Sequence, residues 1–301
     1  MTFKIKCFIQ RIISAFPNSG KINYFFQRYV RKSLPRSDEM LLNKAKIAFY
    51  HFNRFIQNKG KKIKTEKYLE FGAGWDLIIP FCFLCMGFNV TAIDIKRIVV
   101  PELIEATLKK FLNLKDKLQF DFDPEILSCT YNDREIEIYP GMNYYAPMYM
   151  QNTDFPDDTF DLITSTATME HIPEEDLLPI LEECYRILKP GGIFSAVIDY
   201  QDHWSYFDKS ISVYNFLKYS QKEWKKYSPS VMYQNRLRHN EYIDIISKTD
   251  FEIKVNESKY PDEKHLSMLR DLKVDDQFSG YTFDELSVCG SDLVLKKPEK
   301  K

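Results

Sequence analysis

Residues 68–76, Tyr-Leu-Glu-Phe-Gly-Ala-Gly-Trp-Asp, restrict the fold more than any other stretch of the chain. An apolar strand runs into an acidic residue and then into two glycines, Gly72 and Gly74. A helix-compatible apolar run follows from Leu77, and a second strand, Asn89-Val-Thr-Ala-Ile, ends on Asp94. Glycine lets the backbone turn tightly and approach a ligand where a Cβ would stand in the way. An acidic side chain ending the second strand can accept both hydroxyl protons of a ribose. Glu70 is the unusual element, because a dinucleotide site keeps the helix N-terminus free for a pyrophosphate. A carboxylate here repels phosphate and suits a ligand that carries positive charge.

A second block lies between Asp154 and Tyr200. Phe155-Pro-Asp-Asp-Thr-Phe-Asp-Leu-Ile-Thr-Ser reads as an acidic turn feeding a buried strand over 160–165, and Met169-Glu-His-Ile-Pro closes its exit loop. Glu174 to Leu188 places Leu177, Leu178, Leu181, Cys184, Tyr185 and Leu188 at the spacing of an amphipathic helix. Lys189-Pro-Gly-Gly stops that helix, and Ile193-Phe-Ser-Ala-Val-Ile is the next strand.

Together the two blocks resemble the class I S-adenosylmethionine-dependent methyltransferases, in which an E/D-x-G-x-G turn cradles the cofactor. The first block departs from G-x-G-x-x-G in having Leu77 at the third glycine. The resemblance covers residues 66–200. It implies an α/β fold, a doubly wound, mostly parallel seven-stranded sheet closed by an antiparallel final pair, here preceded by a helical extension. It also implies S-adenosyl-L-methionine as cofactor, with Glu70, Gly72 and Gly74 near its methionine part and Asp94 on its ribose. Many members place an aspartate against the adenine where this chain has Tyr149 and Met150, so adenine is expected to stack on Tyr149 or to meet Asn152.

The chain of 301 residues is 44% hydrophobic, enough for one large core with appendages. No apolar run reaches the roughly 20 residues of a membrane span, and Arg11 interrupts the N-terminal apolar stretch, so no secretory signal is read. Six scattered cysteines fit a reducing cytoplasm. Charge is uneven: residues 1–67 hold 16 Lys and Arg against 3 acidic residues, while the whole chain nets −1. A basic N-terminal part points to an anionic neighbour, or to packing against an acidic catalytic domain.

Residues 1–62 read as a basic helical extension or lid, and 63–301 as the methyltransferase domain with a substrate-facing insertion over 201–235. Ile5, Phe8, Ile9, Ile12, Ile13 and Phe16 share one helical face interspersed with Lys4, Lys6 and Arg11. Such a helix can lie in a membrane interface, so peripheral contact through residues 1–16 at the inner membrane face is one expectation; docking on the core is the other. A further helix starts near Ser37 or Asp38 with Leu41, Ala45, Ala48 and Phe52 inward.

Two histidines follow strand ends, where open α/β sheets bind ligands. His203 with Asp199 or Asp202 is the preferred pair for removing an acceptor proton. His171 serves catalysis or holds its loop closed. Asp199, Asp202 and His203 lack a third-carboxylate pattern, so no metal site is assigned. Arg236 and Arg238 could grip an anionic substrate or form surface ion pairs. Cys82 and Cys85 belong to a buried helix face.

The function expected is methyl transfer from S-adenosylmethionine to a hydroxyl or amine of a small molecule or glycan. The basic extension with the DYQDHWSYFD and NRLR segments resembles methyltransferases of bacterial surface-polysaccharide pathways, and so suggests a lipid-linked or surface-polysaccharide precursor. The alternatives are a non-catalytic cofactor-binding partner and an RNA methyltransferase using the basic arm. Ser165-Thr-Ala-Thr stands where base-amine methyltransferases carry Asn-Pro-Pro-aromatic, which argues against nucleic acid.

Overall fold

A computed structural model describes residues 2–14, 19–30, 33–59, 63, 65–129, 131–132 and 136–299. Phe16 and Glu135 lie outside the described residues. An eight-stranded sheet forms the centre, in the order β3-β4-β2-β1-β5-β6-β8-β7. Its strands are β1 (Lys67–Phe71), β2 (Asn89–Ile93), β3 (Glu137–Tyr139), β4 (Met142–Tyr145), β5 (Phe160–Thr166), β6 (Leu188–Asp199), β7 (Glu252–Lys259) and β8 (Gly290–Lys296). From β4 to β6 the strands are parallel. β8 runs antiparallel between β6 and β7, the reversed final pair expected. β3 is the addition to the expected seven strands, a short hairpin partner of β4 turning at Pro140-Gly141.

Helices cover both faces because the parallel strands are apolar on both sides. One face carries α3 (Asp38–Lys59), α4 (Ile78–Cys85) and α5 (Pro101–Asn113), and the other carries α6 (Glu174–Ile187) and α8 (His239–Ile246). β1 alternates between them: Tyr68 joins the α3/α4 core, and Leu69 and Phe71 join the α6/α8 core. Glu70 therefore falls on the α3 side.

The N-terminal helices α1 (Phe3–Ser14) and α2 (Ser19–Phe25) precede α3. α3 starts where Ser37 caps the Met40 amide, and it buries Leu41, Ala45, Ala48 and Phe55 in the main core. Its basic residues, and Arg36 just before it, meet acidic groups of the sheet domain: Arg36 and Lys44 on Asp76, Lys59 on Asp161, and Arg54 on Glu257. The packing expected of a basic segment against an acidic domain is what these pairs make.

α1 lies elsewhere. Phe3 and Cys7 join a third core with Trp204, Phe216 and Trp224 of the 201–235 segment, which includes α7 (Gln221–Trp224), and with Leu269 of α9 (Glu263–Arg270) and Leu286 of α10 (Phe283–Ser287). The apolar stripe divides, because Ile13 is buried while Ile5, Phe8 and Ile12 face outward. Phe55→Ala in α3 is expected to cost about 3–5 kcal/mol in urea denaturation, as for other buried aromatics. A cost under about 1 kcal/mol would show α3 to be peripheral to the fold.

Candidate functional site

Winding away from β1 toward β2 and β4, and then back to β5, leaves a crevice at the strands' C-terminal ends. A cavity of about 360 Å³ occupies it. Phe71, Gly72, Ile93, Asp94 and Ile95 form one side, the 148–151 loop the far end, and Thr168, His171 and Ile172 the side after β5. Gly72 and Gly74 both adopt positive φ, 75° and 82°. A Cβ on Gly72 would run into the Thr168 side chain, whereas the space beside Gly74 is open.

Asp94 accepts the Tyr144 hydroxyl at 3.0 Å and backbone amides of Gly74 and Ala73. Burial nevertheless pushes its carboxyl up to about 7. Glu70 is nearly inaccessible beneath the glycine turn. Its Oε2 accepts the Tyr68 hydroxyl at 2.9 Å, and Tyr68 also contacts Thr164 at 2.7 Å. Burial pushes the Glu70 carboxyl up to about 8, while the Tyr68 bond and Lys44 oppose the shift. His51 of α3 bridges Ser195 and Thr166 close by, and burial pushes its imidazole down to about 3, so it is neutral. A buried carboxyl of this kind is costly to ionise unless a cation accompanies it.

Tyr149 stands at the far end of the cavity, largely exposed, beside Gln151. Asn152 is outside the cavity lining. Ile95, Met148 and Gln151 are lining residues that sequence reasoning did not single out, and an isolated loop of mixed residues carries no periodic signal for them.

On the open side, His171 follows β5 and His203 follows β6, with ring centroids 4.9 Å apart. His203 Nε2 is 3.3 Å from Asp199 Oδ2, although not aligned for a hydrogen bond. Burial alone would raise Asp199, but the neighbouring His203 and the hydroxyl of Tyr206 outweigh it and hold the carboxylate below its ordinary range. Asp202 is turned away: its carboxylate accepts the Trp204 amide and the Asn215 side chain, each at 2.8 Å, and caps the loop. Of the two partners considered for His203, Asp199 is the one beside its ring.

The two arginines are brought into the protein's own framework. Arg238 is fully buried, and its guanidinium donates to the carbonyls of Tyr200, Leu286 and Val288. Arg236 donates to the carbonyls of Phe216 and Tyr219 and to the side chains of Gln221 and Gln277. Arg236 clasps the 201–235 segment to Gln277, while Arg238 ties the end of β6 to the 286–288 backbone. Arg236 also borders a second, polar cavity of about 470 Å³ with Trp224, Tyr233, Glu174 and Glu175. The wall between the cavities is shared, because His171 Nδ1 donates to the Tyr233 carbonyl at 2.6 Å and the Asn235 amide to the Glu170 carbonyl at 2.8 Å.

Residues 69–196 match the family model described as a methyltransferase domain. Over those residues the chain is similar to methyltransferase domains, the likeness its two sequence blocks led us to expect. The chain is similar to a demethylmenaquinone methyltransferase of Lysinibacillus sphaericus, 30% identical over 115 residues, which are 36% of this chain and 47% of that one. It is also similar to a sterol 24-C-methyltransferase of Eremothecium gossypii, 26% identical over 155 residues, 50% of this chain and 36% of that one. The chain thus spans less than half the length of these curated relatives. Among solved structures it is similar to geranyl diphosphate C-methyltransferase from Streptomyces coelicolor, at 12% identity and a TM-score of 0.49, covering 95% of this chain and 88% of that one.

Glu70 gives the protein a pH signature. The folded chain holds this proton more tightly than the unfolded one, whose carboxyl titrates near 4.5. Stability of the cofactor-free protein therefore falls as pH rises from 4.5 to about 8. Glu70→Gln should flatten that decline and raise the thermal midpoint at pH 8, while weakening S-adenosylmethionine binding at least about tenfold in calorimetry. A variant that keeps full affinity would place the ligand's positive charge elsewhere.

Proposed function

We propose that the protein transfers the methyl group of S-adenosylmethionine to a hydroxyl or amine of a small molecule or glycan. In this reading the cofactor's ammonium group lies toward Glu70 beside the glycine turn, its ribose on Asp94, and its adenine between Ile95 and the 148–151 loop with Tyr149. The methyl then faces the side after β5 and β6, where the acceptor meets His171 and the Asp199–His203 pair. That pair takes up the acceptor's proton as the new bond forms. The observation that carries the reading is the convergence of His171 and His203 beside the cofactor cavity, one of them next to an ionised carboxylate.

A polar acceptor is supported by the adjoining 470 Å³ cavity, where the rings of Trp224 and Tyr233 stand near the carboxylates of Glu174 and Glu175. Flat aromatic faces with hydrogen-bonding groups around them suit a sugar. The curated relatives bear the names of small-molecule methyltransferases, which favours a small acceptor over a nucleic acid. The test is a radiolabelled-methyl screen of extract fractions that includes lipid-linked glycans. His203→Ala should lower turnover at least about a hundredfold with cofactor affinity unchanged. Full activity in that variant would remove the pair from the reaction.

The exposed stripe of Ile5, Phe8 and Ile12 on α1, flanked by Lys4 and Arg11, supports a peripheral place on an anionic lipid surface. Residues 1–62 would then serve both as anchor and as cover over the acceptor side. No described helix is long and apolar enough to cross a membrane. The protein is expected to sediment with phosphatidylglycerol vesicles but not with neutral ones, and Phe8→Asp with Ile12→Asp to abolish this. Equal sedimentation of that variant would locate the contact elsewhere.

A further inference from the structure

Glu170, next to His171, has no part in the reading above, and its surroundings are unusual. It is 1% exposed, and neither carboxylate oxygen has a hydrogen-bond partner in the structure. A buried carboxylate in that condition is costly unless a proton or a cation accompanies it. One ligand atom from each of Glu170, His171 and His203 lies within 4.8 Å of the other two.

The two imidazoles are prepared for a cation. The Tyr233 carbonyl can only accept, so His171 Nδ1 carries the hydrogen and Nε2 keeps its lone pair. A carbonyl fixing the far nitrogen in this way is the usual outer support of a metal-binding histidine. His203 Nε2 is buried without an aligned hydrogen bond. Asp199 adds a second carboxylate 3.3 Å from it, held by the Gln201 amide and the Tyr206 hydroxyl.

We propose that Glu170, His171 and His203 bind a divalent first-row transition-metal ion whose remaining coordination positions open toward the cofactor cavity and take an oxygen of the acceptor. Two imidazoles with one carboxylate select zinc, iron(II), cobalt or manganese over magnesium or calcium, which prefer all-oxygen sites. His171 lines the cofactor cavity, so an ion on its Nε2 sits beside the space assigned to the sulfonium. The ion's chemical role rests on the methyl-transfer reading; its binding does not. The coordinated hydroxyl gives its proton to Asp199, His203 now being a ligand. The oxygen lone pair forms the new bond to the methyl carbon, and the carbon–sulfur bond breaks with its electrons going to sulfur, leaving a neutral thioether. The sequence left this group unassigned because its carboxylate comes from the loop after β5 and not from the Asp199–Asp202 segment.

The test uses the full chain stripped with a chelator and titrated with zinc by calorimetry and with cobalt by visible absorption. The wild type should bind one equivalent, and Glu170→Gln and His171→Ala should each weaken binding at least about tenfold. Glu170→Gln preserves shape and removes a buried charge, so circular dichroism should show a folded protein. Absence of binding by the wild type, or equal binding by both variants, overturns the proposal. Titration of S-adenosylmethionine into the same samples separates the two readings. Cofactor binding without metal binding leaves only the methyltransferase reading, and metal binding without cofactor binding leaves only the ion site.

Discussion

The site is organised around a carboxylate that the fold buries at the end of its central strand with too few partners. Burial works against the Glu70 charge, and only the hydroxyls of Tyr68 and Thr166 and a more distant ammonium, Lys44, offset it. Everything near it is arranged to hold that position. α3 presses His51 against Ser195 and Thr166, and Arg36 and Lys44 hold Asp76 at the outer edge of the glycine turn. The N-terminal segment thus covers the sheet's α3 face, on which Glu70 lies. A cationic ligand would supply the missing counter-charge, which makes binding and local stability two aspects of one interaction.

Much of this was legible in the residues. The two glycines, the flanking strands and the acidic strand ends are short-range patterns, and β1, β2, β5 and α6 lie where their periodicity puts them, whereas β6 starts earlier than Ile193 and takes Lys189-Pro-Gly-Gly into the strand. β4 has no expectation in the sequence because Met-Asn-Tyr-Tyr offers only four residues, two of them at intermediate positions, too few for a periodic signal. Periodicity groups Ile5, Phe8, Ile12 and Ile13 of α1 on one face, yet only Ile13 of these is buried, and the contacts with the core built from residues 201–286 come from Phe3 and Cys7, outside that stripe. No local pattern encodes a partner so distant in sequence.

The acceptor side shows the same limit. His171, His203 and Asp199 could be named from their places after strands, but their mutual geometry depends on how the 201–235 segment folds back. Asp202 and Asp199 are equivalent by proximity to His203 in sequence; in three dimensions one caps a loop and the other meets the imidazole ring. Arg236 and Arg238 look like a substrate grip in isolation, and only the carbonyls gathered around them reveal a clasp. Glu170 carried no signal at all, since its character comes from what does not touch it.

The seat of α1 has a consequence for how the chain is made. Phe3 and Cys7 rest on residues that include Leu269, Phe278 and Leu286, and β8 must slot between β6 and β7 before the sheet is whole. α1 is therefore made well before the residues that receive it. Until they emerge, its aliphatic and aromatic side chains have no shelter, and a chaperone or a lipid surface is the natural place for them to wait.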